Sequence, residues 1–104
     1  MAWVYLFTAA VFEIVWAVGL KYSQGFTKLW PSVFTIVAMV LSLTLLALAV
    51  RTIPVGTGYA IWTGIGAVGT AAWGILLFAE PITPWRVACL LLIVGGVIGL
   101  KFTA

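Results

Sequence analysis

The 104-residue sequence has no histidine, one cysteine (Cys89) and only two acidic residues, Glu13 and Glu80. The lack of histidine removes the commonest acid–base residue and metal ligand. A single cysteine excludes an intrachain disulfide and a multi-cysteine metal site. No second acid and no nucleophile–base pair accompanies either carboxylate, so we expect neither an enzyme nor a metal or cofactor site.

Charge of either sign is also scarce. Charged residues are 7% of the chain and hydrophobic residues 65%, with a mean hydropathy of +1.31. Soluble domains contain about 25% charged residues, and disordered chains have low hydrophobicity, so both classes are excluded. The five basic residues are spread singly and form no nucleic-acid-binding patch. The composition therefore predicts a lipid bilayer as the environment.

Four long apolar runs dominate the sequence. They cover residues 3–20, 31–50, 57–78 and 85–102, and segments with charged residues, proline or glycine separate them. A membrane-spanning helix needs about 20 mostly apolar residues. We therefore predict an all-α, multi-pass membrane protein, with one four-helix transmembrane domain over residues 1–104 and loops too short for a soluble domain.

Glu13 is the one ionisable residue near the middle of an apolar run. It lies about ten residues into the run, or about 15 Å at 1.5 Å per residue, which is close to the midplane of a bilayer. A carboxylate at this depth is costly, and the first run offers no cation beside it. Glu13 is therefore the leading candidate for a functional residue, although a protonated glutamate could also serve only to join helices by a hydrogen bond.

Polar and aromatic side chains in three runs could surround this carboxylate. Trp16 follows Glu13 by one helical turn, Ser42 is the polar residue nearest the middle of the second run, and Tyr59 and Trp62 lie one turn apart in the third. Aromatic faces beside a carboxylate suit an organic cation. Ordinary helix packing is the alternative explanation for each tryptophan.

Two pairs of glycines mark positions where helices could bend or approach closely. Gly64 and Gly66 in the third run are candidates for a hinge, although close helix packing explains them as well. Gly95 and Gly99 in the fourth run form a small-xxx-small pair, which predicts a dimer interface. Glycines are common in spanning helices, which is the simpler alternative.

The positive charges do not favour one orientation in the membrane. Lys21, Lys28 and Arg86 fall on one side, whereas Arg51, Lys101 and the terminal amine fall on the other. Because lysine and arginine bias sets orientation, this balance allows insertion both ways up and an antiparallel dimer of two opposite copies. A weak bias that selects one orientation is the alternative.

Two stretches of the sequence resemble the small multidrug resistance family: FEIVWAVGLKYSQGF in the first run and GTGYAIWTGIGAVG in the third. The resemblance extends over nearly the whole chain. Trp16 and the Glu80-Pro81 pair resemble the guanidinium-exporter subtype, whereas the quaternary-ammonium subtype usually has a small residue at the position of Trp16. Ala10 and Gly58 depart from the subtype pattern, and each replaces one small residue by another.

The resemblance implies an antiparallel, dual-topology homodimer in the bacterial inner membrane. It implies that two protons are exchanged for each cation and that Glu13 of each subunit binds either one. Trp16, Ser42, Tyr59 and Trp62 correspond to the side chains around that glutamate. Lys101 matches a C-terminal lysine of the subtype whose role the sequence does not reveal.

We therefore expect a proton-coupled antiporter that exports guanidinium and small substituted guanidinium cations. A broad-specificity exporter of quaternary ammonium and other drugs is the first alternative. A passive small-cation channel is a weaker one, as is a structural subunit beside a larger membrane protein. The sequence also leaves open whether a homologous chain replaces the second copy.

Overall fold

The computed structural model describes residues 1–103 as four long helices in an up-and-down order. The helices are α1 (Ala2–Tyr22), α2 (Leu29–Ala49), α3 (Val55–Leu77) and α4 (Pro84–Thr103). All four are long and apolar enough to cross a membrane. A lipid environment favours helices because each backbone polar group must find its partner within its own segment. The four predicted runs are confirmed as helices, and each helix begins one or two residues before its predicted run.

Local sequence explains where the helices begin and end. Ser23 closes α1: its hydroxyl donates to the Leu20 carbonyl at 3.0 Å and accepts from the Phe26 amide at 3.1 Å. The Thr83 hydroxyl accepts the Arg86 amide at 3.2 Å at the start of α4, and Pro84 takes the first helical position, where a missing N–H costs nothing.

The helices pack in a definite order. α1 lies against both α2 and α3, and α4 packs mainly on α3. At one end of the molecule the Lys101 ammonium lies 4.8 Å from the centre of the Trp3 ring, and at the other end Lys21 lies 5.6 Å from that of Phe78. Because α1 contacts two other helices, the hydrophobic core is concentrated around it.

The four helices form a slab and not a closed bundle. The molecule measures 39 × 35 × 16 Å, and none of residues 84–103 in α4 is buried. α4 thus exposes most of its apolar surface when the chain stands alone, and only lipid or another protein chain can cover it.

Candidate functional site

Glu13 lies near the middle of α1 at the contact with α3. Its side chain is only 8% exposed, and its carboxyl group fills the space that a side chain at Gly66 would occupy. The Oε2 atom is buried without a hydrogen-bond partner within residues 1–103. In the same part of the chain the only ion pair joins Arg86 to Glu80 at a helix end, so Glu13 has no cationic partner there. Buried polar atoms normally have partners, and an unpartnered carboxylate oxygen indicates a place for a ligand or a proton.

Ser42 links three helices and contacts α1 at Ala9, one helical turn before Glu13. Its hydroxyl donates to the Ala9 carbonyl of α1 at 2.6 Å and accepts the Trp62 indole N–H at 3.0 Å. Ser42 is fully buried and Trp62 is 6% exposed. Because both bonds are shielded from water, they fix the orientation of the indole ring and the spacing of α1, α2 and α3.

The other two predicted aromatic residues lie at the edges of this group. Trp16 packs against the hydrophobic core, and its indole N–H is buried without a partner within residues 1–103. The Tyr59 ring centre lies 5.6 Å from that of Trp62 with the rings tilted by 48°, but Tyr59 is 55% exposed. The structure thus brings Tyr59 to Trp62 without enclosing it.

The predicted hinge glycines are contact positions in this structure. α3 is continuous through Gly64 and Gly66. Gly64 leaves room for Val97 and Ile93 of α4, and Gly66 leaves room for the Glu13 carboxyl group. The packing alternative therefore describes this conformation, and bending at these glycines stays a prediction.

The predicted dimer-packing glycines lie on the uncovered surface of α4. A Cβ atom at Gly95 or at Gly99 would meet no atom of residues 1–103 within 4 Å. Both positions are therefore accessible to a second chain, and the dimer interface stays a prediction.

The sequence did not reveal the role of Thr70. It also did not reveal that the missing side chain of Gly66 leaves space for the Glu13 carboxyl group. The Thr70 hydroxyl oxygen is buried without a hydrogen-bond partner in the described chain, one helical turn beyond Gly66 on α3. The spacing of four residues between Gly66, Thr70 and Gly74 was the available signal, because residues four apart share one helix face.

Comparison with known proteins places this arrangement in a family. Residues 1–93 match the family described as "Small Multidrug Resistance protein". The chain is 59% identical over 104 residues to the "Guanidinium exporter" of Salmonella typhimurium strain LT2, covering 100% of this chain and 99% of that protein. It is 56% identical over 103 residues to the "Guanidinium exporter" of Citrobacter freundii, covering 99% of this chain and 98% of the relative.

A similar relative, the "Guanidinium exporter" of Escherichia coli O6:H1, is 57% identical over 103 residues, with the same coverage of 99% and 98%. The matched region includes all of α1, α2 and α3 and therefore every residue around Glu13. Identity at this level over the full chain, together with four apolar helices, identifies a multi-pass membrane protein that belongs to the small multidrug resistance family.

Proposed function

We propose that the chain exports guanidinium and small substituted guanidinium cations across the bacterial inner membrane in exchange for protons. The observation that carries this proposal is the buried Glu13 carboxyl group, which has an oxygen without a partner and no cation beside it within residues 1–103. Its similarity to proteins named guanidinium exporters supports guanidinium as the substrate.

The chemistry of guanidinium suits this carboxylate. Guanidinium is planar and offers paired N–H donors, so it can bind both oxygens of one carboxylate. Trp16, one helical turn after Glu13 on α1, and Trp62 on α3 are the aromatic rings that we assign to the cation. Ser42 holds Trp62 in place and so positions one of these rings. A proton can bind the same oxygens, and the two cations therefore compete for Glu13.

Competition at a single site produces exchange when the site opens to one side of the membrane at a time. A subunit that binds a proton on one side releases it when guanidinium arrives on the other. Bending of α3 at Gly64 and Gly66 is our candidate for part of this movement, in keeping with the role of interrupted helices in transporters.

A dimer of oppositely oriented copies provides the missing walls of the site. One chain is a slab only 16 Å thick with an uncovered α4, and its positive charges are balanced between the two ends. A second copy packed through Gly95 and Gly99 would cover α4 and bring a second Glu13 to the transport path. The two carboxylates account for two protons exchanged per cation.

Uptake of guanidinium into proteoliposomes tests this function directly. We expect a pH gradient to drive guanidinium against its concentration gradient, with little transport of tetraethylammonium, which has no N–H to donate. Uptake that only equilibrates guanidinium and ignores the pH gradient would indicate a channel. Equal transport of both cations would indicate the quaternary-ammonium subtype.

A further inference from the structure

α3 carries a row of residues spaced four apart, which winds around the helix by about 40° from one member to the next. Its members are Gly58, Trp62, Gly66, Thr70 and Gly74. Successive members rise about 6 Å along the helix, and each is a surface neighbour of the next. The row begins beside the aromatic pair and ends at the last turn of α3, near the membrane boundary.

Both acidic side chains of the protein rest on this row. The Glu13 carboxyl group occupies the space at Gly66, and the Glu80 carboxyl group occupies the equivalent space at Gly74. A Cβ atom at Gly66 would displace the Glu13 carboxyl group, and a Cβ atom at Gly74 would displace that of Glu80. Because the two glycines are eight residues apart, the two carboxyl groups are separated by about 12 Å along the axis of α3.

Thr70 lies on α3 midway between Gly66 and Gly74, the two glycines that the carboxyl groups contact. The hydroxyl groups of Thr8 and Thr44 each donate to the carbonyl four residues earlier in their own helix. The Thr70 hydroxyl is buried and makes no such bond within residues 1–103, like the Oε2 atom of Glu13. Two buried, unpartnered polar groups on one row need a partner that the described chain does not supply.

Glu80 is held in a position that faces both the row and the water. The backbone turns at Ala79, which has a φ of 53°, and the Glu80 amide donates to the Gly74 carbonyl at 3.3 Å. Glu80 Oε1 accepts from Arg86 Nη2 at 2.5 Å while the Glu80 side chain stays 41% exposed. The group already bound to this carboxylate is thus a guanidinium, which is the chemistry of the proposed substrate.

We propose that Glu80 is a second guanidinium-binding position on the path between Glu13 and the water. The substrate displaces the Arg86 guanidinium from Glu80, passes the Thr70 hydroxyl and reaches Glu13. Export follows the same positions in the opposite order. This inference rests on the proposed function, because it requires that guanidinium is transported.

The test compares guanidinium exchange in proteoliposomes with equilibrium guanidinium binding to the purified full-length protein. We expect Glu80→Gln to slow exchange by about tenfold, since it loses one charge-assisted interaction with the passing cation. Binding at Glu13 should stay within about twofold of wild type, because the two sites are about 12 Å apart.

Two further variants separate a role on the path from a structural role. The double variant E80R/R86E restores an ion pair and should recover the melting temperature, but it removes the carboxylate from residue 80 and should remain slow. Thr70→Val should slow exchange, whereas the matched Thr63→Val, whose hydroxyl bonds only its own helix, should not.

Recovery of exchange in E80R/R86E would show that the ion pair only stabilises the fold and would overturn the inference. Wild-type exchange in Glu80→Gln alone would also overturn it, while the proposed function would stand. If wild-type protein itself fails to take up guanidinium, the proposed function falls and this inference with it.

Discussion

Glu13 combines a carboxylate, deep burial and the absence of a cationic partner within residues 1–103. Desolvation disfavours the charged form of such a group, and a bound cation or a proton relieves that cost. This explains at the level of one residue why guanidinium and protons should compete. It also explains why the partner must be a positively charged ligand and not a neutral one.

The substitution Glu13→Gln separates charge from shape. The amide keeps the size of the side chain but cannot titrate, so guanidinium binding and proton exchange should both be lost. Folding should survive because a neutral amide in the membrane costs less than an ionised carboxylate. Binding and exchange assays check the loss of function, and the helix content measured by circular dichroism checks that the fold is kept. Retained proton-coupled guanidinium exchange in Glu13→Gln would contradict the assignment of this residue.

Gly66→Ala tests whether the space at Gly66 is needed to position the Glu13 carboxyl group for guanidinium binding. The new Cβ atom would occupy the position of the Glu13 carboxyl group, so the carboxylate must move. We expect guanidinium affinity to fall by about tenfold or more, because small displacements of a positioned group weaken its action strongly. Gly56→Ala is the matched control, since a Cβ there meets nothing within 4 Å in residues 1–103. Equal affinities in the two variants would argue against this role of Gly66.

Glu13 could be recognised in the sequence because a charge in an apolar run has an obvious cost. Thr70 gives a much weaker signal, its spacing from Gly66 and Gly74, because a threonine in a spanning helix usually bonds its own backbone, as Thr8 and Thr44 do. The hydrogen bond between Ser42 and Trp62 could not be predicted from the sequence. The sequence marks both residues, but their meeting depends on the rotation of α2 and α3 about their axes, which short-range patterns do not determine.

At the scale of the helices, Ser42 of α2 joins α1 and α3 through its two hydrogen bonds. Ser42→Ala would leave the buried Trp62 N–H without an acceptor and should cost about 1–3 kcal/mol of stability. Thr44→Ala is the matched control on the same helix, because its hydroxyl is exposed and bonds only the Val40 carbonyl; it should change stability by less than about 0.5 kcal/mol. Thermal unfolding of the purified proteins measures both. An equal shift in the two variants would contradict the linking role of Ser42.

The helices themselves were predictable because long apolar runs are separated by segments with proline, glycine or charge. Their ends moved by one or two residues; for example, the polar residues Lys21 and Tyr22 extend α1 beyond the apolar run. The arrangement of the helices was not predictable in the same way. All four have similar apolar composition, so the sequence does not indicate that α1 is central and α4 peripheral.

At the scale of the whole molecule, the balanced charges predict insertion in both orientations. Adding two lysines at the N-terminus should drive nearly all copies into one orientation and abolish guanidinium exchange. Coexpression with a variant biased the opposite way should restore it. Accessibility labelling of single cysteines from each side of the membrane reports the orientation. Normal exchange by a singly oriented protein would rule out the antiparallel dimer.

Guanidinium binding measured as a function of pH tests the shared site most directly. Protons occupy Glu13 at low pH, so the apparent affinity of the wild-type protein should rise with pH and level off once the carboxylates are ionised. Glu13→Gln should bind no guanidinium at any pH. An affinity that stays constant from acidic to alkaline pH in the wild-type protein would contradict competition between guanidinium and protons for Glu13.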